Sequence, residues 1–393
     1  MLRFPEFAGK WEIKKLGDIC DCIVPGRNKP KTFNGNIPWI TTPDIEHGRI
    51  NVFSASLKIS YEEAQSIGSK VVPKGSVLMS CVGELGITAI TDCEIVINQQ
   101  LHAFIPNDLI NKYFLFYGIK TQKKYIESIA TKTAVPYLNK NNCNSISIPL
   151  PSIAEQEKIA SFLGAIDKRL TQLRRKHELL QTYKRGVMQK IFSQEVRFKG
   201  AIGSEFPDWE KKKLGELGEV IAGLTYSPSD VRKEGLLVLR SSNVQDGKLA
   251  FDDCVFVNKV IDSKSLSREG DILICVRNGS TNLIGKNALI SKNIPPSTHG
   301  AFMVVFRSNR SSFIFQLFQT AVYKRQVYQD LGARINSINS DRLRKYRFLI
   351  PCVEEQEKIA NFLTAIDRKI EVVAQQINRT EQFKKGLLQK MFV

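Results

Sequence analysis

The side chains of this chain most able to do chemistry are its cysteines and histidines. The eight cysteines are Cys20, Cys22, Cys81, Cys93, Cys143, Cys254, Cys275 and Cys352, and they contain no CxxC pair. His47, His102, His177 and His299 stand apart from them and from each other. Local spacing therefore offers no zinc site, and free thiols in a reducing compartment are expected. Gly279-Ser-Thr-Asn-Leu-Ile-Gly285-Lys286-Asn287 has the outline of a phosphate-binding loop, but five residues separate its glycines where four are needed. Asn287 also stands where a magnesium-binding hydroxyl belongs, so a turn between strands is expected instead. No Ser/His/Asp set or carboxylate pair stands out. What remains is the chemistry of recognition. The formal charge of +18 points to a polyanionic partner, nucleic acid before an anionic membrane.

The elements that must position such a surface follow from a long internal repeat. Pro151–Phe192, PSIAEQEKIASFLGAIDKRLTQLRRKHELLQTYKRGVMQKIF, returns without a gap as Pro351–Phe392, PCVEEQEKIANFLTAIDRKIEVVAQQINRTEQFKKGLLQKMF. Apolar residues recur three or four apart in both copies: Ile159, Leu163, Ile166, Leu170 and Leu173 in one, Ile359, Leu363, Ile366, Ile370 and Val373 in the other. Such a narrow stripe flanked by charge predicts two coiled-coil helices, each of about 40 residues and about 60 Å. Ser152 with Glu155 fits a capping box, whereas Cys352 is a weaker start. His177 takes the stripe position of Ile377 and reads as a tolerated polar group. Gly186 and Gly386, both mid-helix, suggest close backbone approach, between the helices or with a partner.

The blocks before the helices also match loosely. Trp11–Gly17 is echoed by Trp209–Gly215, and Asp44–Ile50 by Asn243–Leu249. Lys74–Met79 is echoed by Glu269–Ile274, and Thr131–Asn139 by Leu331–Asn339. Short strands with turn signals and a few helices predict an α+β fold: two tandem globular α/β domains, each followed by a long helix. The expected division is 1–150, 151–195, 196–349 and 350–393. If the two stripes pair, the helices form an antiparallel coiled coil with pseudo-twofold symmetry. No apolar run reaches the roughly 18 residues of a membrane span. The start, MLRFPEFAGKWE, lacks the apolar core of a signal peptide, so a cytoplasmic location is expected.

The helix pattern Leu150-Pro151-x-x-x-Glu155-Gln156-x-x-Ile159-Ala160, its continuation Phe162-Leu163-x-x-Ile166-Asp167, the second copy and the Trp-led openings resemble the DNA-specificity (S) subunits of type I restriction–modification enzymes. The resemblance covers essentially the whole chain. It implies a non-catalytic subunit in which each domain is a target recognition domain for one half of a bipartite double-stranded DNA sequence. It implies helices that fix the unread gap and dock two methyltransferase (M) subunits, with motor-nuclease (R) subunits joining the complex. No cofactor is implied in this chain; S-adenosylmethionine for adenine methylation, ATP and magnesium belong to the partner subunits. In keeping with that, no Asn/Asp-Pro-Pro-Tyr/Phe tetrapeptide is present; Asn293-Ile294-Pro295-Pro296-Ser297 has an extra residue and no aromatic.

Base edges are read by Arg, Asn, Gln, Ser and Thr, and the two domains differ most in loops that carry them. The candidates are Thr41, Thr42, Gln99, Gln100, Tyr137 and Lys140 in the first domain. In the second they are Arg240, Ser241, Asn243, Arg277, Asn278, Ser280, Thr281, His299, Arg334 and Asn336. Phosphate contacts from Lys and Arg should supply most of the affinity. On this reading, a helical turn inserted near Arg174 lengthens the unread spacer. The alternatives are a fused DNA methyltransferase or nuclease, tested by methyl transfer on the isolated chain, and a coiled-coil adaptor, tested by DNA pull-down. Loop geometry decides which side chain meets which base.

Overall fold

The strand Val77–Ser80 is apolar at consecutive rather than alternate positions because both of its faces are covered, and all four residues are buried. In the computed structural model, residues 2–26, 28–46, 48–50, 57–331 and 337–392 are described. The chain forms two compact units, Met1–Arg175 with Ala374–Val393, and Lys176–Val373.

In the first unit a six-stranded sheet runs in the order Cys20–Ile23, Leu101–Pro106, Val77–Ser80, Thr88–Ile90, Arg49–Ile50, Ile45–Glu46. Alternation sends Val77, Met79 and Phe104 to one face, against the helix Lys112–Thr121, and Leu78, Leu101 and Ala103 to the other. A smaller sheet pairs Ile37–Ile40 in parallel with Val96–Ile97. Glu12–Lys15 pairs antiparallel with Ser147–Leu150, so the block's entrance and exit meet at the start of the helix Ile153–Phe192.

The second unit repeats this frame. Phe306 pairs with Val220 and Ile272 where Phe104 pairs with Cys22 and Val77. Glu210–Lys213 pairs with Arg347–Ile350 as Glu12–Lys15 does with Ser147–Leu150. Each unit is α+β.

The two long helices are Ile153–Phe192 (central) and Val353–Met391 (C-terminal), and neither contains proline. Within the first unit, Asp167 meets Lys384 and Arg174 meets Glu381, so partner numbers fall as the helix advances and the pairing is antiparallel. Within the second unit, Lys184 meets Asp367 at 2.7 Å, the matching pair of the other copy. The stripes are core. Ile159 and Leu163 join Leu387, Met391 and Phe392 in the first unit, and Met188 and Ile191 join Ile359 and Leu363 in the second. At about 1.5–3 kcal/mol for each large apolar side chain buried, these seams carry much of the helices' stability.

Two helix expectations are corrected. Ser152 caps Glu155 N–H at 3.4 Å, but the Glu155 carboxylate is held by Arg3 and Trp11 rather than by the Ser152 backbone, so only half of the capping box forms. A Cβ added at Gly186 or Gly386 would meet nothing within 4 Å, so packing between helices does not account for these glycines. Among the described residues no helix is long and apolar enough to cross a membrane.

Candidate nucleic-acid interface

Each domain is fixed to its helix by the same clamp. Glu155, buried, accepts from Arg3 Nε and Nη2 at 2.8 and 2.7 Å and from Trp11 Nε1 at 3.2 Å. In the second unit Glu355, also buried, accepts from Arg197 Nε and Nη2 at 3.2 and 2.8 Å and from Trp209 Nε1 at 3.0 Å. A forked, charge-assisted contact with every acceptor occupied makes a buried carboxylate tolerable and orients the domain. Gln156 adds to this: its amide donates to Pro151 O and Leu109 O and accepts from Asn111 N–H, at the N-cap of Lys112–Thr121.

Above this frame an edge of loops forms in each unit. In the first, Cys81 N–H donates to Gln100 O at 2.7 Å, and Leu138 N–H donates to Cys81 O at 2.8 Å. Val82 pairs with Tyr137, and Thr42 Oγ1 reaches Gln100 Oε1 at 3.3 Å. Thr41, Thr42, Gln99, Gln100 and Tyr137, dispersed over a hundred residues, thus line one edge. Gln99, Gln100 and Tyr137 are exposed. Thr41 is half-buried, its hydroxyl spent on Asp44. Lys140 follows on the first turn of the exposed end of Lys140–Asn144.

The second unit builds the same edge from different residues. Val276 N–H donates to Phe302 O at 3.0 Å, Ile338 N–H to Val276 O at 2.8 Å, and Arg277 pairs with Ser337. Arg240 N–H is capped by Asn243 Oδ1 as Thr41 N–H is by Asp44 Oδ2. Asn278 donates to Ser241 Oγ at 3.0 Å, bringing two candidate loops together. Arg277, Ser280 and Thr281 are exposed; Arg240 is half-buried and paired with Asp253 at 2.7 Å.

Two candidates are corrected. Asn243 is fully buried and donates to Ala250 O and Asp253 O, so it holds its own turn. His299 is buried, its Nε2 lies 3.0 Å from Ile221 O, and burial pushes its pKa down, so it presents no edge to a base. Arg334 and Asn336 lie outside the described residues. The sequence reading missed Phe302. This ring is 57% exposed, takes the place of Gln100 on the edge, and lies 5.5 Å from the Arg277 guanidinium, a pairing suited to stacking on bases. Its only sequence signal was its place after Gly300-Ala301.

The first unit also has a groove of about 950 Å³ between its domain and its helix pair, lined by Lys120, Lys123, Lys124, Arg174, Lys384 and Lys385 against Glu127, Asp167 and Glu381. Asp167 is engaged by Lys384 and by Tyr117 OH at 2.7 Å. Lys120 lies over the Phe116 ring at 4.1 Å, and burial, aided by the Lys384 charge, lowers its pKa to about 8. A phosphate placed here would meet excess positive charge at reduced dielectric.

Each unit thus carries a like-framed edge with unlike side chains, clamped to a long helix, on a chain of charge +18, which marks the nucleic-acid-recognising class of protein. The comparisons with known proteins give the family. The chain belongs to the type I restriction modification DNA specificity domain family, whose model matches residues 8–181 and 207–382. It is 26% identical over 416 residues to the type I restriction enzyme MjaVIII specificity subunit of Methanocaldococcus jannaschii, covering 98% of this chain and 92% of that one. The MjaIX specificity subunit of the same organism is 22% identical over 401 residues, covering 97% and 92%. In fold it is similar to the crystal structure of the S subunit of a type I restriction–modification system from M. genitalium, with a TM-score of 0.66 at 16% identity over 100% of this chain and 98% of that chain.

Proposed function

We propose that this chain is the non-catalytic specificity subunit of a type I restriction–modification complex and that each unit reads one half of a bipartite double-stranded target. The observation that carries the reading is the equivalence of the two edges. Gln100, Val82 and Tyr137 occupy the positions of Phe302, Arg277 and Ser337 on one backbone frame. A structural adaptor has no need of a conserved frame with exchanged polar contents, whereas two readers of different half-sites do. The helices then set the number of unread base pairs and dock two methyltransferase subunits. Methyl transfer from S-adenosylmethionine to adenine, and ATP-driven restriction with magnesium, lie with the partner subunits.

The test maps methylation genome-wide in cells carrying the complex. Arg277→Ala is expected to relax one position of one half-site, at the cost of about 1–3 kcal/mol typical of a lost base contact. Gln100→Ala is expected to act on the other half-site alone. Variants that stay active and leave the mapped target unchanged would remove these edges from the reading.

A further inference from the structure

The core of the first unit gathers soft metal ligands that its sequence scatters. Cys81 Sγ lies 3.6 Å from Cys143 Sγ, and Cys143 Sγ lies 3.3 Å from His102 Nδ1. The three ligand atoms fall within 4.8 Å of one another, and all three residues are buried. A tetrahedral ion with metal–sulfur bonds of about 2.3 Å and metal–nitrogen bonds of about 2.05 Å needs ligand edges of roughly 3.8 Å (S···S) and 3.5 Å (S···N). The observed edges are close to these.

Sheet register brings a fourth thiol, Cys22, to the same face, outside that 4.8 Å group. His102 pairs with Met79 and Cys22 with Phe104, so strand alternation puts Cys22, His102, Met79 and Cys81 on one face. Cys143 comes down on that face from the helix Lys140–Asn144, and Cys22 packs against the same cluster.

The second unit supplies the control. By the same pairings, Cys22 corresponds to Val220 and His102 to Val304. Cys81 corresponds to Val276, each accepting from the residue that follows Tyr137 or Ser337. Cys143 corresponds to Leu343, each donating its N–H to the capping Asn139 or Asn339. Val220, Val276, Val304 and Leu343 belong to one hydrophobic core cluster. Packing at this point of the frame is thus satisfied by four aliphatic side chains. The first unit replaces all four, together, with three thiols and an imidazole. Volume and burial give no reason for that joint exchange; a bound ion does.

We propose that Cys22, Cys81, His102 and Cys143 form a structural site for one divalent ion of the zinc class. On binding, the three thiols lose their protons to solvent and the imidazole binds neutral through Nδ1. The site would sit directly beneath the first reading edge, since Cys81 is the residue that joins the Gln100 and Tyr137 segments. Its role is to hold that edge in shape; the second unit does the same with aliphatic packing.

The full-length chain, purified under reducing conditions, is expected to carry about one zinc ion by elemental analysis. Exchange with Co²⁺ alone should give the visible absorption of a tetrahedral, thiolate-ligated ion. The variant Cys22→Val, Cys81→Val, His102→Val, Cys143→Leu, which installs the residues of the second unit, should keep its circular dichroism and lose at least nine-tenths of the metal. A wild-type chain without zinc and without the Co²⁺ spectrum would overturn the site. So would a Cys81–Cys143 disulfide in alkylated protein, or metal retained by the variant. If the variant does not fold, the wild-type zinc content and Co²⁺ spectrum still decide.

Discussion

Lys120 is asked to do two opposing things. Its burial in the groove holds its pKa near 8, below the usual lysine value of 10.5. Between those values the unfolded chain binds more protons than the folded one, so this group's contribution to stability rises with pH, and its full cost is felt below about 8. Lys120→Met is therefore expected to raise Tm at pH 7, with the gain shrinking by about pH 10, as thermal scans at both pH values would show. The same substitution removes one cation from the groove and should weaken DNA binding and reduce its salt slope by about one. In the unmodified protein, DNA affinity should fall as pH rises through 8. A Tm gain with unchanged salt dependence would mean that the groove does not track phosphate. At this scale the sequence was only partly legible. Residue type suggested readers at Asn243 and His299, and burial decided otherwise. The four soft ligands were invisible because they come from four separate segments, each with ordinary neighbours.

At the scale of elements, the repeated helix was legible because its constraints are local and periodic. The reason for its most repeated residues was not. Glu155 and Glu355 look like capping carboxylates, yet each is held by an Arg and a Trp about 150 residues away in sequence. Asp167 and Asp367 look like solvated charges on a helix face, yet each holds a lysine of the opposite helix, with Tyr117 or Gln316 beside it. A double-mutant cycle of Asp167→Ala and Lys384→Ala should show a coupling on the order of 1 kcal/mol in urea unfolding, because the pair is partly buried and shares a hydrogen-bonded neighbour. The corresponding cycle across Asp167 and Lys184, which do not pair, should show none. Equal couplings would indicate a general charge effect rather than a specific seam contact.

At the scale of the whole molecule, the paired seam refines the spacer experiment. Asp167–Lys384 lies within the first unit and Lys184–Asp367 within the second, with the unit boundaries at Arg175 and Val373 between them. Four residues added to both helices, after Arg175 and after Val373, preserve each. They should lengthen the unread spacer by about 6 Å, or roughly two base pairs, in methylation maps. An active complex with an unchanged spacer would separate helix length from target geometry.

The chain's division also has a consequence for its birth. The second unit is one continuous stretch, Lys176–Val373, whereas the first needs Ala374–Val393 to close. Leu2 N–H donates to Lys390 O at 2.6 Å, and Phe392 stacks on Phe114 and abuts Trp11. The first unit can therefore close only after Ala374–Val393 has been made, whereas Lys176–Val373 can fold before that stretch is translated.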